Sequence, residues 1–208
     1  MIAMLRTCTA SLLLCLGFAS CTEMAYQHMN DPSRDVWQKP KDVIEKLAIA
    51  PGSRVADLGA GGGYFTWYLA EAVGPEGAVY AVDIDETGLG IIKKEMTARG
   101  IRNVIPIHAE PGDAKLPEPV DLVFSCDTYH HMKDRIAYFE SLPGYLKVDG
   151  RVAILDFHPH GFFSGPLGHG RAAEEVEREM EAAGYQKVAA FDMIERQHFQ
   201  IFTRSGAK

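Results

Sequence analysis

Apolar positions in this chain fall into short unbroken runs separated by stretches with a helical period, and the alternation of the two predicts the elements. Five runs read as strands: residues 54–58, 79–83, 104–108, 122–126 and 152–156. Between and around them, helices are predicted over 40–47, 64–72, 86–99, 134–146 and 171–183. The first has Pro40 in its opening turn and Val43, Ile44 and Leu47 on one face. Strands that alternate with helices imply right-handed crossovers and a parallel sheet. After the last helix the rhythm changes, because 186–191 and 198–203 are two strand-like runs joined by a short link.

The sharpest local signal lies where the first run ends. Val55-Ala56-Asp57-Leu58-Gly59-Ala60-Gly61-Gly62-Gly63-Tyr64-Phe65 reads as a buried strand that turns through glycines into a helix. Glycine permits positive φ and lets backbone approach a ligand where a Cβ would collide. The free N–H groups of the following helix favour an anionic group such as a carboxylate. The spacing is D-x-G-x-G-x-G, carried by Asp57, Gly59, Gly61 and Gly63, and not the dinucleotide G-x-G-x-x-G, whose third glycine would fall on Tyr64. Asp57 then offers a carboxylate to a ligand ammonium. Twenty residues after Gly63, Asp83 closes the second strand, where a carboxylate can accept two hydrogen bonds from a ribose diol.

Loop, acid and strand order together resemble the class I S-adenosylmethionine-dependent methyltransferases, from about Val36 to Phe202. Within them the chain is similar to a bacterial group, often exported, with a Trp-Gln-Lys-Pro segment and an Asp-Thr-Tyr-His-His segment, here Trp37 to Pro40 and Asp127 to His131. The resemblance implies a Rossmann-like, doubly wound sheet of seven strands, mostly parallel with a C-terminal antiparallel pair, and methyl transfer from S-adenosylmethionine to an unidentified small molecule. It also implies that Ile84 walls the adenine, that Glu110, or else Asp113, meets the adenine edge, and that the region of Arg34 and Trp37 forms a flap over the cofactor.

Composition narrows the function further. A chain of 208 residues, 47% hydrophobic, suits one α/β domain, here 36–208. A net charge of -7 argues against nucleic acid as a partner, because such affinity rests on clustered Lys and Arg. The first 20 residues carry one charge, Arg6, and an apolar run over 11–18 that is too short to span a bilayer comfortably. They read as a signal peptide that ends in Gly17-Phe18-Ala19-Ser20-Cys21, which resembles a lipobox with Phe18 where Leu is usual. Cys21 would then carry a lipid, residues 21–35 would be a tether, and the protein would sit in the cell envelope, lipid-anchored or periplasmic. The alternatives are an ordinary or uncleaved signal, and a cytoplasmic protein with a misread start. Cys8 and Cys15 would be removed with the signal, and Cys126 reads as a small buried thiol, so no disulfide is expected. The oligomeric state is open.

The parallel strands should place their ligands at their C-terminal ends. Strand four runs there into Cys126-Asp127-Thr128-Tyr129-His130-His131, and strand five into Asp156-Phe157-His158-Pro159-His160. Five of the eight histidines, His130, His131, His158, His160 and His169, are thus expected on one edge of the sheet, where an imidazole can take a proton from a methyl acceptor. Asp127, Tyr129 and His130 are the candidate catalytic residues, with Asp127 also a candidate cofactor contact. Two rival readings are an exported nucleoside-binding protein without catalysis and a metal-dependent enzyme built on the histidines. No Cys-x-x-Cys or His-Glu-x-x-His pattern supports the latter, and no metal ligand is assigned.

Overall fold

A computed structural model describes residues 23–159 and 170–206. Its helices are α1 (23–29), α2 (Arg34–Gln38), α3 (Pro40–Leu47), α4 (Tyr64–Val73), α5 (Glu86–Arg99), α6 (Arg135–Ser141) and α7 (Ala173–Ala182). Its strands are β1 (Arg54–Leu58), β2 (Ala78–Asp83), β3 (Val104–His108), β4 (Val120–Cys126), β5 (Leu146–Phe157), β6 (Tyr185–Ile194) and β7 (Gln197–Arg204). They form one seven-stranded sheet in the order β3-β2-β1-β4-β5-β7-β6. All pairs from β3 to β5 are parallel, and β7 runs antiparallel to both β5 and β6. The doubly wound sheet with its C-terminal antiparallel pair is the architecture the sequence predicts.

Helices cover both faces, which is why the central strands read as unbroken apolar runs. One face packs on α3, α4 and α5 through Val43, Leu47, Phe65, Leu69, Leu89 and Ile92. The other packs on α6 and α7 through Tyr138, Phe139, Val176 and Met180. The strand order reverses between β1 and β4, so the loops that leave these two strands diverge and open a crevice at their C-terminal ends.

Two expectations change. Residues 134–146 do not form one helix: α6 stops at Ser141 and a 3-10 turn, Leu142–Tyr145, takes over. Pro143 explains the break, since it has no N–H to donate to Phe139 O and its ring crowds that carbonyl. Residues 23–35 are not an extended tether either. α1 and α2 fold back on the domain, with Glu23, Tyr26, Asn30, Arg34 and Trp37 partly buried at helical spacing. Mostly polar residues make these contacts, so a search for apolar period passes over them. Residues 1–22, with Cys21, and 160–169, with His160 and His169, lie outside the described residues. Among the described residues no helix is long and apolar enough to cross a membrane.

Phe124 on β4 is fully buried, with its ring edge-on to Phe65 of α4 at 5.0 Å between centroids. Phe124→Ala should lower the free energy of unfolding by about 3–5 kcal/mol. Urea denaturation checks this, and a loss below about 1 kcal/mol would show that the α4 face does not hold the domain.

Candidate functional site

The glycine turn forms the floor of the crevice. Gly59, Gly61 and Gly63 have φ of 78°, 54° and 93°, in the left-handed region that glycine adopts without strain. A Cβ on Gly59 would also stand 2.0 Å from Thr128 Oγ1, so the loops after β1 and β4 touch here only because the side chain is missing. The amides of Gly59 and Ala60 both donate to Val82 O, and that of Gly61 donates to Asp83 Oδ2 at 2.7 Å. The other oxygen of Asp83 accepts from the Asp85 amide at 2.9 Å. The two carboxylates singled out by spacing, Asp57 and Asp83, are thus at the ends of neighbouring strands with the turn between them.

Asp57 is buried, 3% exposed, and its carboxylate accepts one side-chain hydrogen bond, from Thr66 at 2.6 Å. Burial is the main cause that pushes its carboxyl up to about 7, and the nearby Asp83 charge adds to it against the Thr66 bond. A cavity of about 60 Å³ adjoins it, lined by Met29, Asp57, the glycine turn, Cys126, Asp127 and Thr128. This is the environment in which a ligand ammonium would supply the charge the carboxylate lacks. The donor set therefore fits the amino-acid end of S-adenosylmethionine, and Asp83 fits its ribose.

Asp127 follows β4 with φ of 54°, an uncommon conformation for a residue with a Cβ. Its carboxylate meets Arg34 at 3.1 Å and Gln38 Nε2 at 3.3 Å, and also accepts from Gln197 Nε2. Burial moves its carboxyl up to about 6, with Arg34 opposing. Arg34 lies over the Tyr64 ring, 4.1 Å from its centroid, and Gln38 is fully buried. The flap region and the strand-four loop thus share one polar network, which also takes in Cys126 through Gln38 Nε2. Burial pushes the Cys126 thiol well up, as befits an inert side chain.

The other candidates divide. Ile84 is 59% exposed at the rim, open to an adenine face. Glu110 is exposed and paired with Lys115. Asp113 accepts from Tyr145 Oη at 2.7 Å and from the Lys115 amide at 2.9 Å, which hold its carboxyl below the usual range and leave Glu110 the freer acid. Tyr129 does not face the crevice: it is 1% exposed within the α6–α7 core, stacked on Phe139, and its hydroxyl donates to Glu179 at 2.6 Å. It follows an apolar strand with one turn of 3-10 helix, which points it into the core. His130, one residue on, has its Nδ1 2.5 Å from Asp156 Oδ1. Among the described residues no group of three or more His, Cys, Asp or Glu side chains could hold a metal ion.

Sequence reasoning missed Tyr26 and Asn30. Tyr26 packs over Gly61 and Gly88 and donates its hydroxyl to Asp85 Oδ2 at 2.7 Å, and Asn30 Nδ2 donates to Gly62 O at 2.7 Å. They roof the turn, which is why the cavity is far below the roughly 300–1,000 Å³ of ordinary ligand pockets. The only signal in the sequence is the three-to-four-residue spacing of Glu23, Tyr26, Asn30 and Arg34.

Comparison with known proteins agrees with this geometry. Residues 56–152 match the family model of a methyltransferase domain. The chain is 37% identical over 78 residues to a demethylmenaquinone methyltransferase of Geobacillus stearothermophilus, covering 38% of this chain and 33% of that one. It is 31% identical over 125 residues to a ubiquinone/menaquinone biosynthesis C-methyltransferase of Ectopseudomonas mendocina, covering 57% and 47%. It thus spans between a third and a half of the length of these curated relatives. The crystal structure of a SAM-dependent methyltransferase from Aquifex aeolicus superposes with a TM-score of 0.80 at 26% identity, over 86% of this chain and 97% of that one. In fold, cradle and family match the chain is similar to the S-adenosylmethionine-dependent methyltransferases, whose cofactor the site fits.

The state of Asp57 has two readable effects. A carboxyl raised to about 7 in the fold, against about 3.9 unfolded, gives the native protein more bound protons between these values, so stability falls as pH rises through that window. The melting temperature of the ligand-free protein should therefore fall from pH 5 to pH 8, and less so in Asp57→Asn. A cofactor ammonium needs the ionised carboxylate, so affinity for S-adenosylmethionine should rise over the same range in the native chain and stay flat in the variant. Calorimetry at three pH values decides it; equal slopes would remove Asp57 from the ammonium site.

Proposed function

We propose that this chain transfers the methyl group of S-adenosylmethionine to a small-molecule acceptor at the C-terminal edge of its sheet. The observation that carries the reading is the buried Asp57 carboxylate, short of a cation, beside a glycine turn whose far rim is Asp83. Bound there, the cofactor supplies an already activated methyl on a sulfonium. Asp57 would pair its ammonium, Asp83 would accept from its ribose hydroxyls, and Ile84 and Glu110 would border its adenine. Because the methyl group is activated, the chain's main task is to align the acceptor in line with it, and proximity supplies most of the acceleration. Tyr26, Asn30 and Arg34 cover the turn and must yield to admit the cofactor, then exclude water once they return.

Asp127 sits where β4 meets the crevice, and its fixed carboxylate would border the transferred methyl. His130 would accept the acceptor's proton when the nucleophile is a hydroxyl or a carbon acid, and an anionic acceptor would dispense with it. The matched relatives include enzymes named for methylating quinone precursors, so a quinol-type aromatic is the first acceptor to try. We further propose that the chain is one of the exported bacterial methyltransferases and that Cys21 is lipidated. The described part of α1 starts at Glu23, two residues beyond Cys21, which would hold the covered cradle close to the membrane surface.

Asp83→Ala removes an acceptor of two charge-assisted hydrogen bonds, each worth about 1.5–3 kcal/mol, so S-adenosylmethionine affinity by calorimetry should fall at least tenfold. Methyl-labelled cofactor given to the native chain with a cell-envelope extract should yield a labelled small molecule. Binding without any labelled product would instead mark a nucleoside-binding protein.

For the anchor, the intact mass of protein from native membranes should show loss of residues 1–20 and addition of acyl chains. Full-length, unacylated protein in the soluble fraction would overturn it.

A further inference from the structure

Four buried side-chain atoms among the described residues have no hydrogen-bond partner: Ser125 Oγ, Asp156 Oδ2, His198 Nδ1 and Gln200 Oε1. Strand alternation puts all four side chains on one face of the sheet. Val123, Ile154 and Phe202 mark that face, since they pack with α6 and α7, and residues 125, 156, 198 and 200 share their parity. Unsatisfied polar atoms in a native core call for an explanation, and one of the four residues, Asp156, meets His130.

Asp156 and His198 stand directly opposite each other in the β5–β7 pair, a placement that brings Cβ atoms to about 4.5–5.5 Å. His198 Nε2 lies 3.1 Å from Arg171 O. A carbonyl only accepts, so Nε2 carries the hydrogen and the neutral ring has a bare lone pair at Nδ1. Burial favours that neutral ring, while the charge of Asp156 opposes it. Asp156 Oδ2 is itself an acceptor. Neither atom has a hydrogen-bond partner, so His198 stands beside the carboxylate without bonding to it.

On its other side Asp156 is already engaged. Its Oδ1 is 2.5 Å from His130 Nδ1, with the two side chains 0% and 6% exposed. The carboxylate can only accept, so Nδ1 of His130 carries the hydrogen and Nε2 is left as the basic nitrogen. One carboxylate thus lies between two imidazoles, His130 from the 3-10 turn after β4 and His198 from β7. The charged and titratable groups around the unit are Asp127, His131, His158, Arg171 and Glu174.

We propose that Asp156 is a positioning residue for His130: it fixes the imidazole in the tautomer whose Nε2 takes the acceptor's proton. The proposal rests on the methyltransferase reading above and adds one residue to it. In the reaction the acceptor's O–H or C–H bond breaks and its proton forms a bond to Nε2. The acceptor's electron pair forms the new bond to methyl, and the sulfur keeps the pair of the bond that breaks. The imidazolium keeps its Nδ1–H on Asp156, whose negative charge stabilises it, and later returns the extra proton to solvent.

The test is nitrogen NMR of the full chain labelled at histidine, at neutral pH, in the native protein and in Asp156→Asn. The native spectrum should show His130 protonated at Nδ1 with a slowly exchanging ring N–H. In Asp156→Asn the side-chain amide can donate to Nδ1, so the proton should move to Nε2. Labelled methyl transfer into the extract should fall about a hundredfold or more, with the affinity for S-adenosylhomocysteine and the melting temperature kept near native. A native His130 protonated at Nε2 overturns the proposal without recourse to any variant, and so does native turnover in Asp156→Asn. Failure of the native chain to bind S-adenosylhomocysteine would instead remove the methyltransferase reading and leave the tautomer measurement standing.

Discussion

The contact between Gly59 and Thr128 is the constraint from which the crevice follows. Two loops leave neighbouring parallel strands in opposite directions, and they can touch at their roots only if one of them carries no Cβ. That contact sets the floor of the cradle, brings Asp127 and His130 to the same edge as Asp57, and lets Asp83 hold the turn from the far side through the Gly61 amide. A larger residue at position 59 would have to push β1 and β4 apart, which the shared ladder from Val55–Leu122 to Leu58–Ser125 resists.

Electrostatics divides the edge into two halves. Around Asp57 the carboxylate lacks a cation, which suits a site that receives one from its ligand. Around Asp127 the carboxylate is already paired with Arg34 and accepts hydrogen bonds from two glutamines, which suits a fixed wall. Its left-handed backbone, unusual for a residue with a Cβ, is held in place by that network and by the Asp127 amide bond to Leu155 O.

Most of the architecture could be read in advance because burial on both faces leaves a plain record. β1, β3, α3 and α5 begin and end at the residues the pattern predicts. Where burial involves polar groups the record fades. α1 docks through Tyr26 and Asn30, not through an apolar stripe, and so reads as tether. β7 is buried along most of its length yet includes Gln197, His198 and Gln200, which disguise an interior strand as a mixed one. At the site, the spacing of Asp57, Gly59, Gly61, Gly63 and Asp83 was legible because backbone conformation dictates it. The placement of Tyr129 was not, since one turn of 3-10 helix decides which of two adjacent side chains enters the core.

The strand order also has a consequence for synthesis. β1 and β2 pair early, but the other edge of β1 waits for β4: Val55 aligns with Leu122, 67 positions later. At about 5–20 residues per second a ribosome needs roughly 3–13 s to make that stretch. During that interval the half-sheet β3-β2-β1 presents an unpaired apolar edge, and the glycine turn has no Thr128 against it. The cradle is thus complete only after β4 and Thr128 have been made, so its capacity to hold ligand reports that the two halves of the sheet have joined.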